Sequence, residues 1–326
     1  MRNSAITLRT HRIDETQLGD LQAWVLHDDA ADLHATWVPE AGMLGASLLH
    51  GGRELLWTGR GADAYIRERA FMGIPFLHPW ANRLARFGYK AGGRDVALDP
   101  ASPLLHRDEH GLPIHGVLTA SRLWSVSEAA ADAERARLVA HLDFDRPELL
   151  AAFPFRHRIE MSVQVCGGAL EVRTTVTATG DDEQVPISFG FHPYLAIPGV
   201  PRAEWDVAFP VRRHILIDAQ EIPTGATEAV DPIAGPIGER TWDDGYDQLD
   251  GHRFEIRGGD RTLTVELTEG YRVVQIFAPP KQEYICVEPM TAPANALNGP
   301  AEALAWASPG RPYSATFRIE CSARVL

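Results

Sequence analysis

Apolar and polar residues alternate with period two over much of this chain. From His157 to Val165, Ile159, Met161, Val163 and Val165 fall on one face, and Arg158, Glu160, Ser162 and Gln164 on the other. The same alternation runs from Leu170 to Ala178, from Leu138 to Phe144 and from Leu263 to Leu267. A period of two predicts half-buried strands with an apolar inner face and a polar outer face. Shorter β-like runs are Leu33–Val38, Arg272–Phe277, Tyr284–Val287 and Tyr313–Ile319. Helical spacing is scarce, with short helices expected at Asp63–Ala70 and Ala292–Ala305. Most prolines and glycines lie between the alternating runs, where they punctuate turns. No βαβ alternation, tandem repeat or linker interrupts the pattern. The expectation is all-β: one large antiparallel β-sandwich over residues 1–326, with few short helices and long connecting loops.

The 326 residues are 45% apolar and 23% charged, ordinary for a globular chain and wrong for a disordered one. A chain of this length can bury about three quarters of its unfolded surface, so a core needs no staple. The formal charge of −13 disfavours nucleic acid and anionic membrane as partners. Lys90 and Lys281 are the only lysines, so 29 of the 31 basic residues are arginine. There is no Gly-Lys-Ser/Thr phosphate loop and no Ser-x-x-Lys site. Cys166, Cys286 and Cys321 are far apart, which fits a reducing, cytoplasmic setting without a disulfide framework or a cysteine zinc site. Met1–Glu15 lacks the apolar run of a signal peptide, and no stretch approaches 18 apolar residues.

Several segments carry candidate chemistry. Gly59-Arg-Gly-Ala-Asp-Ala64 matches a dinucleotide-loop pattern, but without a βαβ unit it reads as a surface turn. His106-Arg-Asp-Glu-His110 gathers metal-ligand residue types, yet prolines and a glycine flank it as a loop, and no His-Glu-x-x-His spacing is present. That loop is either solvated or at the border of a pocket; no metal is expected. His115 lies in Pro113-Ile-His-Gly116, where a lone imidazole is more often structural. His192 sits in Ser188-Phe-Gly-Phe-His-Pro-Tyr194, an aromatic segment around one titratable group. Aromatic faces such as that of Tyr194 suit the apolar C–H faces of sugars. Glu288 closes the run Tyr284-Ile-Cys-Val-Glu288 before Pro289, sharing a face with Tyr284 and Cys286. Asn82-Arg83 follows an aromatic, proline-rich stretch, and the planar fork of Arg83 can bond several hydroxyls. Asp247 can accept hydroxyl hydrogen bonds, although alone it reads as a turn residue.

Taken in order, these segments resemble the aldose 1-epimerase (mutarotase) family. The resemblance rests on Gly42–Trp57 as an opening hairpin, Pro79-Trp-Ala-Asn-Arg83, Ile114-His-Gly116, Phe189-Gly-Phe-His-Pro-Tyr194 and Val287-Glu-Pro-Met-Thr-Ala-Pro-Ala-Asn295. It implies a two-sheet β-supersandwich and cofactor-free interconversion of the α and β anomers of a free aldohexose. It further implies Glu288 as general base, His192 as general acid, His115 as a polarising group, and Arg83, Asp247, Asn82 and Tyr194 as sugar-binding residues. The chain departs from the family where Val117 follows Gly116 and where Ala85-Arg86 precede Phe87. Base and acid are expected to approach the hemiacetal from opposite sides. Ordinary acidities, about 4.3 for Glu and about 6.5 for His, would leave Glu288 ionised and His192 about a quarter protonated at pH 7. The competing expectations are a hexose-6-phosphate epimerase using Arg67, Arg69, Arg83 and Arg86, a non-catalytic sugar-binding sandwich, and a metal-dependent lyase or isomerase using His106–His115.

Overall fold

The computed structural model describes residues 10–180 and 184–323. Most of the N-terminal stretch read for an export signal therefore lies outside the described residues. The architecture is an all-β supersandwich of antiparallel sheets. One nine-stranded sheet is built around the four long alternating runs, as the strands Ala136–Phe144, His157–Cys166, Ala169–Ala178 and Arg261–Glu269. Its register is continuous: Ile159 faces Leu142 on one side and Val176 on the other. Their buried faces meet Phe144, Phe254, Phe317 and Ile319 in the main apolar core. A five-stranded sheet formed from Arg53–Glu54 and the four strands before it, starting at His11–Leu18, leads into this core.

The second large sheet has eight strands, among them Trp242–Leu249, Val273–Ala278 and Ile285–Met290. Ile285 and Val287 point into the main core, while Cys286 packs with Tyr194 and Tyr284 on the other face. The alternation read from the sequence thus separates a core face from a cavity face in this strand. Among the described residues no helix is long and apolar enough to cross a membrane.

Two expectations change. The helix expected at Asp63–Ala70 forms as Ala62–Glu68, but Ala292–Ala305 does not form an α-helix. Pro293, Gly299 and Pro300 break it into two 3₁₀ turns, Ala296–Asn298 and Ala301–Ala303, followed by the strand Ala305–Ala307. A second short helix, Pro147–Ala152, opens on a proline at its first turn and was not visible as periodicity.

Gly116 is required by close approach. Its φ is +71°, and a Cβ there would lie 2.1 Å from the carbonyl oxygen of His78. Gly111 has φ +75° with open space around it. Gly116→Ala should therefore destabilise the fold by clearly more than Gly111→Ala, which meets only the backbone cost of about 1 kcal/mol. Chemical denaturation of the two variants checks this; equal midpoints would contradict the close packing at Gly116.

Candidate active site

The site is laid out by register. Gly190 pairs with Met290 and Tyr194 with Cys286, so the same register puts position 192 opposite position 288. Pro193 interrupts the ladder there, and the His192 N–H bonds to the Pro75 carbonyl at 3.1 Å instead. On its other side Glu288 pairs with Gln275, which pairs with Gly245. Gly245, Gln275, Glu288 and His192 therefore form one row across the sheet. The neighbouring row on the same face is Asp243, Phe277, Cys286 and Tyr194.

These rows floor a cavity of about 270 Å³, the size of a single small ligand. His192 Nε2 stands 3.2 Å from Glu288 Oε1, and both side chains are almost fully buried. The two groups are side by side, not on opposite sides of the cavity as expected, because they are a cross-strand pair. Tyr194 stacks on the His192 ring with centroids 4.4 Å apart and planes 8° from parallel. Phe71 meets the edges of His106 and His115 and lies over His192, at 5.5, 5.1 and 6.1 Å.

Asn82 and Arg83 enter from a loop zipped to the His115 loop. The His115 N–H donates to the Asn82 carbonyl at 3.0 Å, and Arg83 forms an antiparallel bridge with Ile114. Asn82 and His115 both have positive φ, +56° and +63°, a conformation uncommon outside glycine and stabilised here by that zip. The Asn82 amide oxygen accepts the Arg83 N–H at 2.7 Å. The nearly buried Arg83 guanidinium faces four carboxylates: Asp108 at 2.8 Å, Glu109 at 3.4 Å, Asp243 at 3.6 Å, and Glu221 in close contact.

Burial sets the protonation of the pair. It drives the Glu288 carboxyl well above its ordinary range, with the Asp243 charge adding to the effect and Arg83 opposing it. Burial lowers His192 to about 3 and pushes His115 well down. The reading of an ionised Glu288 and a partly cationic His192 is therefore corrected. An isolated ion in such a site costs several kcal/mol, so the pair rests as a neutral carboxylic acid beside a neutral imidazole.

Of the residues singled out from the sequence, Glu288, His192, His115, Arg83, Asn82 and Tyr194 line one cavity. Asp247 does not. It forms a two-point ion pair with Arg213, at 2.7 and 3.1 Å. It lies four positions along the strand from Asp243, about 13 Å away. Asp243 is the aspartate that faces the cavity, held by a 2.6 Å hydrogen bond from Gln275 Nε2. Phe71, Phe277 and Asp243 were missed. Three aspartates share the strand Trp242–Leu249, and only pairing with Val273–Ala278 tells which one reaches the cavity. The loop beginning at His106 does border the cavity, through His106, Arg107, Asp108 and Glu109. Gly59–Ala64 is a turn running into the short helix.

A profile of the aldose 1-epimerase family matches residues 43–320. The chain belongs to the aldose 1-epimerase family. A search of curated proteins returns no significant match. Among solved structures, a galactose mutarotase-like protein from Clostridium acetobutylicum superposes with a TM-score of 0.82 at 18% identity, covering 97% of this chain and 99% of that one. A galactose 1-epimerase from Lactobacillus acidophilus NCFM gives 0.77 at 14% identity, covering 97% and 99%. A protein from Synechocystis sp. PCC 6803 gives 0.74 at 24% identity, covering 98% and 99%. At these identities the likeness is one of fold.

Asp108 ties this family member's site to its scaffold. Its side chain is almost fully buried, bonds Arg83, and accepts the backbone N–H groups of His110 and Leu112 at 2.9 and 2.8 Å. Asp108→Ala should lower stability by about 2–4 kcal/mol, because it breaks a buried ion pair and uncaps the loop. Glu109→Ala, at a mostly exposed carboxylate, should cost less than about 1 kcal/mol. Urea unfolding compares them, and similar costs would contradict the anchoring role.

Proposed function

We propose that this protein is an aldose 1-epimerase that interconverts the anomers of a free, neutral aldohexose without a cofactor. The observation that carries the proposal is the buried contact between His192 Nε2 and Glu288 Oε1 in a cavity shared with His115 and Arg83. Mutarotation moves two protons between neighbouring oxygens. Glu288 takes the proton of the anomeric hydroxyl, and His192 gives one to the ring oxygen. The ring opens, C1–C2 rotates, and the same groups reverse roles as the ring closes.

Ring opening draws on the carboxylate–imidazolium form, which the resting acid–imidazole pair reaches when its one proton passes from Glu288 to His192; ring opening returns the pair to acid and imidazole. Burial favours the acid–imidazole arrangement, so the ionic form is the minor one at rest and its conversion during ring opening is downhill within the pair. His115 is placed to donate to charge developing at the ring oxygen. Arg83, Asn82 and Asp243 bond the remaining hydroxyls, and Phe71, Tyr194 and Phe277 offer apolar faces to the C–H edges of the sugar.

Substrate charge follows from the lining. Arg83 is already faced by four carboxylates, so the site does not attract a dianion. This favours a free hexose over a hexose 6-phosphate. A carboxyl–imidazole pair sharing one cleft is also more than a passive sugar-binding face needs. Among the described residues His106 and His115 belong to no cluster of three ligand side chains; Glu109 and His110 of the same stretch do form one with Glu221, whose carboxylate is already engaged by Arg83.

Polarimetry of a pure anomer tests the assignment. Wild type should accelerate equilibration of glucose or galactose and not that of the 6-phosphate. Glu288→Gln should lose about 10²–10⁴-fold while remaining folded by circular dichroism. Full activity in that variant would refute the roles.

The pH dependence follows from the shared proton. The active pair holds exactly one proton in total, as carboxylate–imidazolium or acid–imidazole. It gains a second only near the low value of His192 and loses its last at the raised value of Glu288. The kcat/KM profile should therefore show no acid limb near ~6.5, where a free imidazole titrates, and should fall on the alkaline side. Asp243 helps hold the proton on Glu288, so Asp243→Asn should move the alkaline limb to lower pH. An acid limb at the ordinary imidazole value, or an alkaline limb moving upward in Asp243→Asn, would contradict the shared-proton account.

A further inference from the structure

Away from the sugar cavity, the hairpin of Leu21–Asp28 and Leu33–Val38 brings two imidazoles together edge to face. His27 and His34 are direct cross-strand partners, and their Nδ1 atoms lie 2.8 Å apart. The carboxylate of Asp29, in the turn that follows the first strand, converges on the same point: one ligand atom from each of the three residues lies within 4.8 Å of the others.

The far nitrogens of both rings also stand near carboxylates. His27 Nε2 is 3.2 Å from Asp14, and His34 Nε2 is 3.2 Å from Asp32. Asp32 bonds His34 Nε2 and so leaves the His34 Nδ1 lone pair free, the arrangement found behind metal-bound histidines, while Asp14 lies near His27 Nε2 without hydrogen-bond geometry. At this spacing a single proton bridges the two rings in the metal-free state, in the place an ion would take, with a cation beside them. Arg12 supplies one here: its Nη2 is 3.0 Å from His27 Nδ1 and its Nε is 3.2 Å from Asp29. The Arg12 side chain is 46% exposed, so it can swing into water at little cost.

We propose that His27, His34 and Asp29 bind a single divalent transition-metal ion of the zinc type, with Arg12 beside the rings in the metal-free state. Two imidazoles and one carboxylate suit zinc, nickel or copper and not magnesium or calcium. Neighbouring nitrogen ligands at about 2.0–2.1 Å from a tetrahedral ion sit about 3.3 Å apart, so the 2.8 Å spacing present needs to open by about half an ångström on loading. The ligands come from both strands of the hairpin and the turn beside it. The ion therefore clasps this part of the N-terminal sheet; none of the three residues lines the sugar cavity.

Calorimetric titration of Zn²⁺ into the metal-stripped full-length chain tests the site, with Mg²⁺ as a control. A second cluster, Glu109, His110 and Glu221, could also take up metal, so the titration is run in a His110→Ala background. The expected result is one equivalent of Zn²⁺ bound, no Mg²⁺ uptake, and a rise in melting temperature on loading. His34→Ala, at a half-buried surface position, should weaken binding at least about tenfold, Asp32→Asn about tenfold, and Arg12→Ala should tighten it severalfold. Circular dichroism of the metal-free variants shows that each is folded, and His34→Gln serves if His34→Ala is not. Absence of a one-equivalent Zn²⁺ site, or a folded His34 variant that binds as the parent does, would overturn the proposal.

Discussion

Two titratable side chains, Glu288 and His192, are held against each other in a place where neither can comfortably carry a charge. The contact comes from strand register: Gly190 opposite Met290 and Tyr194 opposite Cys286 leave position 192 facing 288. Burial then raises the carboxyl and lowers the imidazole. The proposed chemistry depends on this, since the pair can exchange between an ionic and a neutral arrangement by moving protons through a bound sugar. A wider spacing would break the exchange, and a wetter site would hold the ionic form at rest.

The surroundings are arranged so that the pair keeps its proton. Asp243 lies one row away across the sheet and is turned by Gln275, which itself needs the space left by Gly245: a Cβ at that glycine would come within 3.0 Å of the Gln275 amide oxygen. Arg83 brings a fixed positive charge into the cavity that opposes the raised pKa of Glu288, and four carboxylates stand against it. What remains is a directional hydrogen-bond donor, suited to hydroxyl groups rather than to an anion.

The strands of the nine-stranded sheet were legible because period-two alternation reports a buried face directly. The position of Glu288 on the cavity face was legible for the same reason. Alternation does not report which rows of neighbouring strands meet. Asp247 and Asp243 share a face, and what separates them is the pairing of Trp242–Leu249 with Val273–Ala278, which lies outside local pattern. The same gap hid the side-by-side placement of Glu288 and His192 and the cross-strand meeting of His27 with His34. Acidities were misjudged because ordinary values describe solvated groups, and burial is a property of the assembled sheets. The Ala292–Ala305 segment is not a helix because Pro293, Gly299 and Pro300 override its apolar spacing. The family motifs were readable as local strings; their convergence on one cavity required the fold.

The central claim is that one carboxyl–imidazole pair serves both oxygens of the hemiacetal. A crystal structure of the Glu288→Gln variant with bound galactose or glucose tests it most directly. The account predicts the anomeric hydroxyl within hydrogen-bond reach of residue 288 and the ring oxygen within reach of the His192 or His115 ring. A sugar bound with its ring oxygen turned away from both histidines, or bound outside this cavity, would contradict it.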